Sequence, residues 1–124
     1  MPVPVLKQGH ILIVSPQSSP TDGDLITLRD DLAEQIGRLR SRGVILDVSA
    51  LNVIDSFATQ TIRQISETAR LRGARVVVAG IQPEVAVAMV RQGLDFRGTT
   101  TVLDLEEALE TLGVVIASPD DAPP

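Results

Sequence analysis

The segment 47–56, which reads Asp-Val-Ser-Ala-Leu-Asn-Val-Ile-Asp-Ser, holds the side chains that are best placed for chemistry. It follows a short apolar run and precedes residues with helical spacing, so its last residue, Ser56, is expected in the first turn of a helix. There a hydroxyl lies near unpaired backbone N–H groups and the positive end of the helix dipole. A phosphate attached to Ser56 would therefore be favourably placed.

The polar residues of this segment also have purely structural interpretations. Ser56 or Asp55 can cap the helix, which contributes about 1 kcal/mol to stability. Asp47 and Ser49 can hydrogen-bond to the backbone of their own turn, as short polar side chains commonly do. Position alone leaves the functional and the structural interpretations open.

Other kinds of reactive or ligand-binding site find little support in the sequence. The single histidine, His10, cannot form a multi-histidine metal site, and the lack of cysteine removes thiolate chemistry and disulfides. Ser56 lacks the G-x-S-x-G elbow of hydrolases, while Gly80 and Gly93 belong to no phosphate-binding glycine motif. We therefore expect no enzyme, no metal and no cofactor.

The elements that position segment 47–56 follow from the spacing of apolar residues. We predict a hairpin with its break at Gln8 and Gly9, a first helix that ends at Gly43, and then alternating strands and helices. The predicted strands are 3–7, 10–14, 44–48, 75–79 and 100–103, and the predicted helices are 24–40, 58–72, 83–92 and 105–112. Repeated alternation implies right-handed crossovers onto a mainly parallel sheet. The fold class is α/β.

Length and charge narrow the functional classes further. The 124 residues suit one domain, over 1–116, and the Pro- and Asp-rich residues 117–124 are expected to be disordered. A net charge of −5 makes nucleic acid an improbable partner. No apolar run is long enough for a membrane span, and the first residues lack a signal sequence, so we expect a cytoplasmic protein.

The pattern Asp47-x-Ser49-x-Leu51-x-x-Ile54-Asp55-Ser56 resembles the central signature of STAS domains, the family of bacterial anti-anti-sigma factors. The segment 93–98, Gly-Leu-Asp-Phe-Arg-Gly, and the following residues to 109 resemble the stressosome branch of this family. The resemblance covers residues 3–112. RsbR-type members of that branch carry an N-terminal sensory domain, whereas this chain begins almost at its first strand. We therefore expect the single-domain RsbS type.

The resemblance implies a STAS fold, a mainly parallel sheet with an N-terminal hairpin, covered by about four helices. It implies that Ser56 accepts phosphate from an RsbT-type serine/threonine kinase, and that a phosphatase resets it. The unphosphorylated domain would hold the kinase within a homo- and hetero-oligomer that contains RsbR-type paralogues. The residues expected to contact the kinase are Asp55, Ser56, Phe57 and Thr59. The secondary candidates for phosphorylation are Thr99, Thr100 and Thr101.

The segment 85–90, three arginines and the function of the domain each allow more than one interpretation. The helix segment 85–90 is apolar on every side, so it either packs beside the final helix or meets a partner. Arg63, Arg70 and Arg72 form either a solvated face or a surface for an acidic partner. The alternative functions are a stand-alone anti-anti-sigma factor and a STAS module that binds a small ligand such as a nucleotide or lipid.

Overall fold

A five-stranded mixed sheet forms the centre of the protein in a computed structural model, which describes residues 3–52, 54–93 and 99–113. The strands are β1 Val5–Gln8, β2 Ile11–Val14, β3 Gly43–Asp47, β4 Arg75–Ala79 and β5 Thr100–Val102. The helices are α1 Asp22–Leu39, α2 Ser56–Leu71, α3 Pro83–Arg91 and α4 Leu105–Thr111. The predicted α/β class and the alternation of elements are confirmed. The predicted tail, 117–124, lies outside the described residues.

The strands follow one another across the sheet in chain order, from β1 to β5. Only β1 is antiparallel to its neighbour, and β2 to β5 are parallel. Gln8 pairs with Ile11, so the hairpin loop is Gly9 and His10, one residue later than predicted. Gly9 has a φ of +60°, which suits the first position of a tight two-residue hairpin turn.

The two faces of the sheet are covered by different helices. Side chains of a strand alternate between faces, so Val44 and Leu46 pack on one side and Ile45 on the other. The first side is covered by α1, α2 and α3, and the second by α4. We considered that α3 packs beside the final helix, and the structure contradicts this, because the two helices pack on opposite faces of the sheet.

Helix α1 ends differently from the prediction. Its start carries a capping box, in which Thr21 Oγ1 accepts from Asp24 N at 3.0 Å and Asp24 Oδ2 accepts from Thr21 N at 3.1 Å. The last helical residue is Leu39, and Arg40 takes the left-handed conformation with a φ of 50°. Gly43 is instead the buried first residue of β3.

Gly43 serves packing rather than helix termination. A Cβ atom on Gly43 would lie 2.8 Å from Leu112 Cδ1 and 2.9 Å from Ile11 Cδ1. These distances are shorter than a van der Waals contact, so a larger residue would require the side chains of Leu112 and Ile11 to shift. The lack of a side chain at Gly43 therefore lets Leu112, which follows α4, pack against the apolar side chains on the second face of the sheet.

Candidate functional site

The predicted segment 47–56 lies at the carboxyl edge of the sheet. It begins with the last residue of β3, Asp47, and ends with the first residue of α2, Ser56. The loop that follows β4 reaches the same edge, where Val48 N donates to Ala79 O at 3.0 Å. Loops at this edge of a parallel sheet are aimed by rigid strands, which makes the edge a common place for function.

Asp55, and not Ser56, caps helix α2. Asp55 Oδ1 accepts a hydrogen bond from Ala58 N at 2.7 Å, which satisfies one of the free N–H groups of the first turn. Ser56 is the exposed first residue of the helix, and its hydroxyl forms no hydrogen bond with any described residue. The Ser56 hydroxyl is therefore accessible from solvent and is not needed to cap the helix.

Thr59 is buried under this loop and hydrogen-bonds to its backbone. Its exposed fraction is only 1%, so its side chain does not reach the surface on which we expected it to contact a partner. The Thr59 hydroxyl lies 3.0 Å from Asp55 O and within hydrogen-bonding distance of Gln92 Oε1. Gln92 Nε2 in turn donates to Ile54 O at 3.2 Å. Thr59 and Gln92 together fix the backbone on either side of Asp55.

The first half of the segment is held by its own side chains and by α3. Asp47 Oδ1 accepts from Ser49 N at 3.1 Å and from Ser49 Oγ at 2.7 Å, so the structural interpretation of these two residues is correct. Gln82 Nε2, at the start of α3, donates to Ser49 O at 2.9 Å and to Asn52 Oδ1 at 3.2 Å. This glutamine binds the segment to the neighbouring loop.

Gly80 brings the two loops into direct contact. It has a φ of +73°, and a Cβ atom on it would lie 2.8 Å from Ser49 Cβ and 3.2 Å from Ser49 Cα. Any side chain here would displace the loop that leads to Ser56. The sequence did not indicate these roles of Gly80, Gln82 and Gln92, because the two glutamines are 33 and 38 residues downstream of their contacts and none of the three belongs to a motif.

The surface around Ser56 combines apolar and acidic groups. Phe57 beside it is 37% exposed, and Asp55 is exposed as well. An open recess of about 120 Å³ adjoins Asp55 and is lined by Ser19, Pro20 and Ala58 as well. This combination offers a partner an aromatic ring, a carboxylate and a small depression next to the hydroxyl.

The other candidate residues lie elsewhere. Thr100 and Thr101 are exposed on β5 and Thr99 precedes that strand, so none of them joins the Ser56 loop, and as phosphorylation sites they stay predictions. His10 lies in the hairpin loop. Among residues 3–52, 54–93 and 99–113, no group of three metal-binding side chains occurs, and no helix there has the length and hydropathy of a membrane span.

Comparison with known proteins agrees with this architecture. The family model of the STAS domain matches residues 3–108. The RsbT co-antagonist protein RsbRD of Bacillus subtilis (strain 168) is 30% identical over 90 residues, which are 73% of this chain and 32% of that protein. The chain thus spans about a third of the length of the RsbR-type relatives that it matches.

Two solved structures resemble the chain over most of its length. A variant of RsbS from Moorella thermoacetica is 35% identical and superposes with a TM-score of 0.82, covering 90% of this chain and 94% of that one. A chain from the stressosome, described as a signal integration and transduction hub, is 35% identical with a TM-score of 0.80, covering 89% and 96%. The similarity therefore extends to sequence as well as to fold.

Proposed function

The chain belongs to the STAS domain family, and we propose that it is a non-catalytic, phosphorylation-regulated scaffold subunit of a stressosome-like complex. In this proposal the unphosphorylated chain holds an RsbT-type serine/threonine kinase, and phosphorylation of Ser56 releases the kinase to regulate a stress response or a sigma factor. The observation that carries the proposal is the exposed Ser56 hydroxyl, which forms no hydrogen bond with a described residue and lies beside a helix cap supplied by Asp55. The similarity to RsbS and to the stressosome chain supports it.

The geometry of α2 suits phosphorylation of its first residue. A kinase needs an accessible hydroxyl, and Ser56 offers one that makes no competing hydrogen bond to a described residue. The product carries about −1.5 to −2 charges at neutral pH. Free N–H groups of the first helical turn and the helix dipole stabilise such a charge by about 0.3 to 1 kcal/mol. The modified domain would therefore keep its fold.

The same phosphate would weaken a kinase docked over this surface. We propose that the kinase contacts Asp55, Ser56 and Phe57, while buried Thr59 keeps the backbone in place. A modification changes binding only if its free energy differs between the bound and the free state. In the free domain the phosphate is hydrated, whereas in the complex it would be desolvated beside the carboxylate of Asp55. Desolvation and like-charge repulsion there cost several kcal/mol, which is more than the stabilisation of the phosphate by the helix N-terminus.

We also propose two further partners of this chain, an RsbR-type paralogue and a phosphatase. Five curated relatives match, and four of them are called RsbT co-antagonist proteins, which supports coassembly of this chain with an RsbR-type paralogue. Because a phosphate ester is stable in water, a switch of this kind also needs a phosphatase that resets Ser56. The assembly would be both homo- and hetero-oligomeric.

A labelling experiment tests the phosphoacceptor. The full chain is incubated with an RsbT-type kinase and ATP, and the phosphorylated residue is identified by mass spectrometry. Ser56→Ala should abolish labelling. Ser49→Ala is the matched control, since Ser49 is an exposed serine of the same loop whose hydroxyl is already bonded to Asp47. Undiminished labelling of the Ser56→Ala variant would contradict the proposal.

A further inference from the structure

Six of the ten arginines of the chain lie at the end of the domain opposite Ser56. Helices α1 and α2 both run from the carboxyl edge of the sheet to its amino edge, so their last turns meet the first residues of β3 and β4. We call the segments 38–42 and 70–75 the basic end. Its cationic residues are Arg38, Arg40, Arg42, Arg70, Arg72 and Arg75.

Contacts between these segments show that they form one surface. Arg75 N donates to Arg42 O at 2.9 Å, which joins the starts of β3 and β4. A Cβ atom on Gly37 would lie 2.7 Å from Arg72 Nη1, so the Arg72 side chain lies across the last turns of α1. All six arginines are exposed, and none forms an ion pair with an acidic residue of the described ranges.

Leu71 lies within this cationic surface and is 89% exposed. Cations at the C-terminal ends of helices are explained by the helix dipole, but an exposed leucine between Arg70 and Arg72 is not. Protein interfaces characteristically place an apolar anchor at the centre and arginine around it. The basic end is therefore suited to a protein partner whose surface has an apolar depression with an acidic rim.

A surface of that kind occurs at the opposite edge of this same chain. We call it the acidic recess, an open depression of about 440 Å³ at the carboxyl ends of β4 and β5. Its described lining residues are Gly80, Ile81, Ala86, Thr101, Val102, Leu103 and Glu107. A cavity of about 150 Å³ accepts a benzene ring, so the acidic recess has ample room for a leucine side chain.

The rim of the acidic recess is negatively charged. Glu107 lines it, and exposed Glu84, Asp104 and Glu106 belong to the first turns or caps of the helices that flank it. Asp104 Oδ1 and Glu107 Oε2 accept from backbone N–H groups, and neither carboxylate forms an ion pair with a basic residue of the described ranges. None of the described residues that line the recess is basic.

We propose that the basic end of one copy docks onto the acidic recess of a second copy, with Leu71 as its apolar anchor. Five-residue strands separate the two surfaces by about 16 Å, so one copy cannot fill its own recess. A contact between different surfaces of identical subunits leaves a free surface at each end, and it generates closed rings or growing chains. This contact would serve the scaffold proposed above, but it uses none of the residues proposed to contact the kinase, Asp55, Ser56 and Phe57.

The test measures association of the full chain by light scattering over a dilution series. The unmodified chain should associate with rising concentration, and less so at 1 M salt, where the screening length falls to about 3 Å. Leu71→Asp and Leu103→Arg each place a like charge against one surface, since Leu103 is 84% exposed beside the recess. Each should weaken association at least tenfold. Arg70→Glu is a second variant of the basic end.

Mixing the two leucine variants distinguishes this contact from others. Leu71→Asp keeps an intact acidic recess and Leu103→Arg keeps an intact basic end, so the mixture should recover association, beginning with dimers, that each variant alone has lost. Leu6→Asp is the matched control, because Leu6 is 61% exposed at the β1 edge, and it should associate normally. Circular dichroism checks the fold of every variant.

Several results would overturn the inference. A chain that is monomeric at every concentration, or a mixture that gives no dimers, excludes the head-to-tail contact. Loss of association in Leu6→Asp would place the contact at the sheet edge, and loss in an Asp120→Asn, Asp121→Asn variant would assign the basic end to the acidic tail. Labelling of Ser56 in Leu71→Asp by the kinase reports separately on the proposed switch.

Discussion

The two ends of helix α2 present opposite kinds of surface. At its first residue the backbone is fixed by Asp55, Thr59 and Gln92, and a single hydroxyl is displayed beside a carboxylate. At its last residue an apolar side chain, Leu71, is displayed among arginines that form no ion pair with the described acidic residues. The Ser56 end therefore has a backbone fixed by hydrogen bonds, whereas the Leu71 end has an exposed apolar and positively charged surface.

This difference suggests a division of tasks along one helix. Covalent modification requires a hydroxyl held in one position, and the hydrogen bonds around Asp55 supply that. Docking of whole domains requires apolar area and complementary charge, which long arginine side chains around a leucine provide. The net charge of −5 gives no sign of this arrangement, in which six exposed arginines lie at one end of the domain.

The largest expected effect concerns the kinase at the Ser56 end. Phosphorylated Ser56 should lower kinase affinity by about 100-fold or more, since desolvation and repulsion cost several kcal/mol and each tenfold corresponds to about 1.4 kcal/mol. Ser56→Ala should bind as the unmodified chain does and fail to release the kinase. Ser56→Asp carries less charge than a phosphate and should show an intermediate affinity. Calorimetry of the four forms measures this, and equal affinity of the modified and unmodified forms would refute release.

The second prediction compares a glycine at each end. Gly80 and Gly73 both have a positive φ, which costs an L-residue about 1 to 2 kcal/mol. A Cβ atom on Gly80 would also meet Ser49, whereas one on Gly73 would meet nothing within 4 Å. Gly80→Ala should therefore lower the free energy of unfolding by about 1 kcal/mol more than Gly73→Ala, because a tight contact adds strain. Urea denaturation gives both values.

The two glycine variants should also differ in the rate at which the kinase phosphorylates Ser56. Gly80→Ala displaces the loop that leads to Ser56, so we expect slower phosphorylation by the kinase. Gly73→Ala lies near the basic end and should be phosphorylated at the normal rate. If both variants lost the same stability and kept the same rate, the contact between Gly80 and Ser49 would have no role in positioning Ser56.

Local patterns in the sequence predicted much of this architecture. The spacing of Leu25, Leu28, Leu32 and Ile36 placed α1, and the short apolar runs placed the strands of the core. The polar segment before α2 also indicated the site and its cap. All of these signals are carried by residues that are close in the chain, where periodicity and capping chemistry operate.

Features that depend on distant contacts could not be predicted in this way. Thr59 was expected at the surface, but helix α3 brings Gln92 against it and buries it. Gly43 was assigned to helix termination, whereas it lies in β3 against the side chains of Leu112 and Ile11, which are distant in the sequence. The clustering of arginines was also missed, because the segments 38–42 and 70–75 meet only when α1 and α2 pack side by side.

The third prediction tests how firmly α3 holds the Ser56 end. Gln92→Ala removes the donor to Ile54 O and one partner of the Thr59 hydroxyl, which keeps its bond to Asp55 O. A typical intramolecular hydrogen bond contributes about 0.5 to 1.5 kcal/mol, and we expect the free energy of unfolding to decrease by about 1 kcal/mol. Gln60→Ala, at an exposed position of α2, is the control and should change stability by less than about 0.5 kcal/mol.

Labelling shows whether this lost stability is local. With the loop less constrained, Gln92→Ala should be phosphorylated several-fold more slowly while its circular dichroism spectrum stays unchanged. A normal rate in this variant would mean that the kinase itself orders the loop, and the contrast between a fixed end and a docking end of α2 would have to be abandoned.

The smallest expected effect concerns a carboxylate near the Ser56 end of the domain. The hydrogen bond from the Thr21 backbone N–H holds the pKa of Asp24 below its ordinary value. A group with a lowered pKa stabilises the fold above its unfolded-state pKa, about 3.9, and this stabilisation is lost as pH falls through the lowered value. Asp24→Asn should therefore lose less stability than the unmodified chain between about pH 5 and pH 2.

Asp22→Asn is the control for this measurement, because it removes a carboxylate from the same helical turn and leaves the capping box intact. Thermal melts over the pH range compare the three proteins. If Asp24→Asn and Asp22→Asn changed acid stability equally, the effect would come from the net charge of this end. A change confined to Asp24→Asn shows that the interactions of this one carboxylate, first among them the hydrogen bond from the Thr21 backbone N–H, stabilise the start of α1 at neutral pH.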